Sequence, residues 1–222
     1  MSRFSLEDNI FANGGNIKKK QPTEEEIKSA FNNPAVRQAH LESSFDSLAY
    51  NKNSGATGIY QITQPVIDDY NKANKTNIKL ADMIHPKQAR IVRDWFMNKL
   101  DTSSWQQNPK MTNDVRKARS YYAYNAGANN ARISLNDLNA KGKNIHTNLD
   151  FVNHINKESK DYVNYMMTGD GNSNHRNYEQ FKKDFLKNPD VIKQINYAIG
   201  GIISTPLKGN NIKPSLIDIR RK

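Results

Sequence analysis

A chain of 222 residues with no cysteine, 36% hydrophobic residues and a formal net charge of +11 can bury a sizeable core, and it offers neither disulfides nor thiolate metal ligands. No run approaches the ~20 apolar residues of a membrane span, the five histidines lack HExxH spacing, and zinc-finger and RNA-recognition spacings are missing, which argues against a zinc hydrolase and against nucleic-acid binding. The positive charge points to an anionic partner, and charge alone does not choose among nucleic acid, a membrane surface and an acidic wall polymer.

Residues 1–21 read as a flexible basic leader, with a turn signal at Asn13-Gly14-Gly15 and a basic run at Lys18-Lys19-Lys20. No secretory signal is visible in it. The first helix is expected after Pro22, with Thr23 as N-cap and Glu26 three residues on as its capping-box partner. Pro34 opens a second helix, expected over 34–45, with Val36, Ala39 and Phe45 on its apolar side. Glu42 lies three residues after Ala39, beside that stripe. An isolated Glu is most often a solvated helix residue, but burial against the stripe would raise its pKa, and a general acid needs that environment.

Residues 51–58 are loop-like and end in two glycines, and 59–62 could form a small strand. Helices are expected from Pro65 to about 74, from Pro86 over PKQARIVRDWFMNKL, and over 113–124 with Gly127 as the stop. A polar connection covers 138–149, and a further helix is expected over 151–167. Asp170, Asn172 and Asn174 alternate as in a calcium loop. The sixth and twelfth places, however, are His175 and Phe181, so calcium is rejected. One more amphipathic helix starts near Tyr178 and breaks at Pro189, followed by a Gly- and Pro-containing tail.

Four stretches share an order and spacing: Glu42-Ser43-Ser44-Phe45, Gly55-Ala56-Thr57-Gly58-Ile59-Tyr60-Gln61-Ile62, Ala123-Tyr124-Asn125-Ala126-Gly127, and Glu158-Ser159-Lys160-Asp161-Tyr162-Val163. Together they resemble the SLT-type lytic transglycosylases (soluble lytic murein transglycosylase, goose-type-lysozyme-like). The family pattern is E-S, G-A-x-G-[LI]-[MF]-Q-[IL], A-Y-N-A-G and E-T-x-x-Y-V. Tyr60 and Ser159 depart from it, and those departures bear on substrate fit. The resemblance implies a mainly α (α+β lysozyme-like) fold: a helical catalytic domain over 22–168 with a small β/Gly-rich turn region at the active-site cleft. Residues 169–222, outside the resemblance, are expected to form a basic C-terminal helix and extended tail.

It further implies cleavage of the MurNAc-GlcNAc bond of peptidoglycan glycan strands, without metal or other cofactor. Glu42 would act as acid and then as base, giving a 1,6-anhydro product, and its pKa would have to rise from ~4.3 towards ~6. Ser43 would hydrogen-bond near the reacting sugar, Gly55 and Gly58 would let backbone approach the glycan, and Gln61 would line the cleft. Tyr124 and Asn125 would contact the sugar's N-acetyl group or Glu42, Tyr162 would place its hydroxyl close to the acid, and Glu158 would be a buried structural carboxylate. The alternatives are a lysozyme-type hydrolase, for which Asp46 is the nearest water-positioning carboxylate, and a non-catalytic virion or wall-binding protein. A muralytic protein without signal peptide or lipidation cysteine fits a phage protein, virion-borne or made in the host cytoplasm and acting on the periplasmic wall. Its basic termini could dock virion partners.

Overall fold

The computed structural model describes residues 21–171 and 176–197, and residues 1–20 of the expected leader, the centre of the Asp170 loop and the tail beyond 197 lie outside them. The chain is mainly helical: α1 (Glu24–Asn32), α2 (Pro34–Ser43), α3 (Gln64–Asn74), α4 (Pro86–Asp101), α5 (Asn113–Ala126), α6 (Ala128–Ala140), α7 (Lys157–Thr168), α8 (Tyr178–Lys187) and α9 (Pro189–Tyr197). Among the described residues β pairing is limited to isolated bridges, Tyr50 with Thr57 and Thr57 with Ile62, so 59–62 is part of a folded turn and not a strand.

The helix boundaries follow local chemistry. At α1 the expected capping box forms: Glu26 N donates to Thr23 Oγ1 at 3.2 Å and Thr23 N to Glu26 Oε2 at 2.7 Å. Asn33 then caps α2 through Ala35 N, with Pro34 as its first residue. This helix stops at Ser43, two residues short of the expected end, because Ser44 and Phe45 both turn left-handed at φ 52° and 69°. That conformation costs non-glycine residues about 1 kcal/mol or more each. It drives the Phe45 ring into the core with no exposed surface, which offsets the strain.

Two further boundaries differ from expectation. Asn156 accepts a hydrogen bond from Ser159 N and starts α7 at Lys157, while Leu149–His154 is a separate 3-10 turn. Helix α6 was not anticipated: it buries Ala131 and Leu135 and packs Ala128 and Leu138 against the second of the core's two apolar clusters.

Two apolar clusters make the core. The first gathers Ile27, Val36, Phe45, Ile59, Ile67 and Val92 with Phe181, Phe185, Ile192 and Ile195 of α8 and α9. The chain after 168 therefore belongs, as far as Ile195, to the same packed body as α1, α2 and α4, and the boundary expected at 168 separates nothing over these residues. The second cluster is built by α5, α6 and α7 with the end of α4. Helix α2 spans the seam between them. Val36 and Ala39 belong to the first cluster, and Leu41 packs against the second.

Candidate active site

At that seam stands Glu42. Helix α2 is buried all round over residues 35–40, so it is an interior helix and its polar side chains must find partners inside the protein. Glu42, near its C-terminal end, is half-buried. Tyr162 of α7 donates its hydroxyl to Glu42 Oε1 at 2.7 Å. Burial pushes the Glu42 carboxyl up from 4.5 to about 7. The Tyr162 hydrogen bond and the charges of Arg176 and Arg93 pull the other way and only moderate the rise. At neutrality the carboxyl thus populates its protonated and ionised forms about equally, and the rise goes a step further than the value expected from sequence.

The Gly-rich turn sits beside it as a self-bonded loop. Thr57 and Ile62 exchange backbone hydrogen bonds at 2.9 and 3.0 Å, Gly58 N donates to Ala49 O, and Gln61 N to Gly58 O. The reasons for its two glycines differ. A Cβ on Gly55 would meet nothing within 4 Å, so only its φ of 70° asks for glycine, and its outer side is free for a ligand. A Cβ on Gly58 would lie 2.0 Å from the carbonyl oxygen of Met83. That glycine serves contact with the 3-10 turn Leu80–Ile84 and is buried, which corrects the expectation that it opens backbone to a glycan.

Other expected residues brace this turn from inside. Ser43 Oγ lies 3.1 Å from both Ala39 O and Ile59 O, so its single proton ties α2 to the turn. Gln61 sends its Nε2 back to Gly58 O at 3.0 Å and Ala49 O at 3.3 Å. Tyr124 of α5 donates to Tyr60 O at 2.7 Å, linking the second cluster to the first. Burial, and next the nearby Glu42 charge, hold the Tyr124 hydroxyl well above its ordinary pKa, so it stays neutral. Asn125 accepts from Ser159 Oγ at 2.7 Å, which fixes α5 against α7.

Glu158 is corrected. It is exposed, not buried, in the first turn of α7, where its charge faces the positive helix end. The buried neighbour that bonds across is Ser159. Asp46 is exposed and its Oδ1 accepts from Leu48 N at 2.9 Å.

Two residues that sequence reasoning missed complete the arrangement. Gln38, one turn before Glu42, donates its Nε2 to the Tyr162 hydroxyl at 2.9 Å, and Arg93 of α4 donates its Nε to Gln38 Oε1 at 2.7 Å. The spacing of Gln38 and Glu42 on one helix face was a usable signal; nothing in the sequence marked Arg93. A pocket of about 310 Å³, lined by residues that include Asn33, Arg90, Arg93, Asp101 and Lys117, does not include Glu42. Among the described residues no group of three or more His, Asp or Glu is placed to hold a metal ion, and no helix is long and apolar enough to cross a membrane.

The model of the family described as Transglycosylase SLT domain matches residues 29–147, more than half of the chain. No curated protein and no solved structure matches it.

Proposed function

Because the chain belongs to the transglycosylase SLT family, and is therefore a lytic transglycosylase that acts on peptidoglycan, we propose that Glu42 is its one catalytic acid and base and that the product is a 1,6-anhydromuramoyl end. The observation that carries this reading is a half-buried carboxyl raised to about 7 and held through one oxygen by Tyr162.

The protonated Glu42 gives its proton to the glycosidic oxygen as the bond from the muramoyl anomeric carbon breaks. The ionised Glu42 then takes the proton of the same sugar's 6-hydroxyl as that oxygen closes on the anomeric carbon. No water enters, so no second carboxylate is needed to hold one, unlike the usual two-carboxylate hydrolysis. The other acids nearby are engaged elsewhere: Asp94 pairs with Arg90 and Arg93, and Asp161 with Arg176. Gly55 supplies the open backbone edge on which the glycan is expected to lie. Ser43, Gly58, Gln61, Tyr124 and Asn125 act by holding the turn and the two clusters in register around it.

Mass spectrometry of digested peptidoglycan tests the mechanism. Anhydro ends, lighter by one water than reducing ends, are expected, and a digest dominated by reducing ends overturns it in favour of the lysozyme-type hydrolase. Delivery by a phage particle, with virion proteins docking on basic termini, is a further part of the proposal. It is supported by the net charge of +11. Recovery of the protein from purified particles is expected, and recovery from a bacterial periplasm alone contradicts it.

A further inference from the structure

Three hydrogen bonds in series run from α4 to Glu42, and their direction is set by chemistry. Arginine can only donate. Arg93 Nε donates to the oxygen of Gln38, and this fixes which end of that amide is the oxygen and which is the NH₂. The NH₂ end therefore points at the Tyr162 oxygen, 2.9 Å away, and uses one of its lone pairs. With that side occupied by a donor, the Tyr162 proton turns to Glu42 Oε1 at 2.7 Å. Arg93 is itself anchored through its NH1 to Asp94 Oδ1 at 2.8 Å, and Asp94 also accepts from Arg90 at 2.6 Å. Gln38 has no exposed surface, and Arg93 and Tyr162 are buried too, so water does not compete along the path.

We propose that Gln38 and Arg93 are positioning residues for the reaction. They aim the Tyr162 hydroxyl at one oxygen of Glu42, so that the proton to be transferred resides on the other, Oε2. This inference rests on Glu42 being the acid. Without the series, the hydroxyl can rotate and the carboxyl proton can sit on either oxygen, and half of the orientations then place it away from the glycosidic bond. Charged and titratable groups that act on Glu42 come from each packed element: Tyr162 from α7, Arg93 from α4, Tyr124 from α5, and Arg176 from the segment before α8. Loss of the donor series removes only interactions that favour the ionised carboxylate, so the alkaline limb of the rate profile moves to higher pH when it is broken.

The test is the pH profile of glycan cleavage by Gln38→Met, Gln38→Glu, Tyr162→Phe and the double variant Gln38→Met/Tyr162→Phe in the full chain, with thermal melts alongside. Gln38→Glu keeps the shape but replaces the donor end with an acceptor, which draws the Tyr162 proton away from Glu42. Each single variant is expected to lower kcat about tenfold, with KM within about twofold and the alkaline limb higher by about half a pH unit or more. The double variant is expected to lose much less than the product of the two single losses, because the Gln38 amide donates to that hydroxyl. A further tenfold loss in the double variant, or an unmoved alkaline limb in folded Gln38→Glu, overturns the inference. Glu42→Gln separates the two levels: if it keeps its activity, the assignment of the acid fails, and if it is inactive while the Gln38 variants behave as the parent, only the positioning role fails.

Discussion

Helix α2 carries two tyrosine-linked clusters, two residues apart, with opposite fates. On one side Glu42 meets Tyr162. On the other, His40 meets Tyr165 across 2.7 Å at Nδ1 and Asp184 across 3.3 Å at Nε2. Asp184 can only accept, so Nε2 carries the imidazole proton and Nδ1 accepts from the Tyr165 hydroxyl. By donor set alone, a tyrosine, a histidine and an aspartate in series look more like a proton relay than one glutamate and one tyrosine do. Yet His40 and Tyr165 are sealed under Phe45 and Phe181, with ring centroids 5.5 and 5.3 Å from the imidazole, and α8 covers them. Glu42 keeps a half-open side. Access, more than chemistry, separates the site from the buried joint that docks α8.

The same force acts on both and gives opposite pH signs. Burial favours the neutral form, raising Glu42 to about 7 and lowering His40 below its ordinary value. For Glu42, the folded protein holds its proton to higher pH than the unfolded chain, so this side loses stability as pH rises from 4.5 to about 7. For His40, the unfolded chain binds the proton first on acidification, so stability is lost as pH falls below 6.5. Asp184, also lowered, by hydrogen bonds that outweigh its own burial, adds loss in the same acidic direction.

The largest expected effect is on the open side. Glu42→Gln should cut the rate of peptidoglycan cleavage about 10³-fold or more, since general acid and base work are both removed. The fold should survive and, at pH 8, gain about 2 kcal/mol after discounting the shift for partial exposure, with little gain at pH 5. Turnover assays and melts at the two pH values check this. Substantial turnover, or equal stability change at both, breaks the distinction drawn between the two sides.

On the closed side the order of effects reverses. His40→Ala leaves the Tyr165 hydroxyl and Asp184 without their partner and opens space beside Phe181, and a loss of about 3 kcal/mol is expected. Cleavage per folded molecule should stay within about twofold. The gap in urea midpoint between the parent and His40→Ala should widen from pH 5 to pH 8, because the His40 contribution is lost on acidification and the Glu42 contribution is common to both. A large fall in turnover by folded His40→Ala would make the sealed cluster part of the chemistry after all.

Much of the open side was readable because its residues recur in order: the Glu42 pair, the Gly55–Gln61 turn, the Tyr124-Asn125 block and Tyr162. Their jobs were less readable. Gly58 answers to Met83 and Glu158 to solvent, because both depend on what lies opposite in space. Gln38 and Arg93 are ordinary polar residues 55 positions apart, and only the burial of α2 and α4 turns them into partners. The closed side was invisible for the same reason: His40 and Asp184 are separated by 144 residues, and α8 had been read as an appendage. Helix α6 was overlooked although Ala128, Ala131, Leu135 and Leu138 recur at helical spacing and face the second cluster; the Asn-rich positions between them read as loop.

The smallest effect belongs to Asp46, which lies one turn beyond Glu42 in sequence yet on neither side of the comparison. The left-handed pair Ser44 and Phe45 swings the chain away after α2, and Asp46 faces solvent while its carboxylate caps the Leu48 amide. A hydrolase would need a carboxylate near the acid to orient water, and this is the sequence neighbour with the right chemistry. Asp46→Asn keeps an oxygen for the Leu48 amide and removes only the charge. Stability should change by less than about 0.5 kcal/mol, cleavage should stay within about twofold, and anhydro ends should remain the product. A tenfold loss of rate would place Asp46 in the chemistry and move the mechanism from ring closure by the 6-hydroxyl to attack by water.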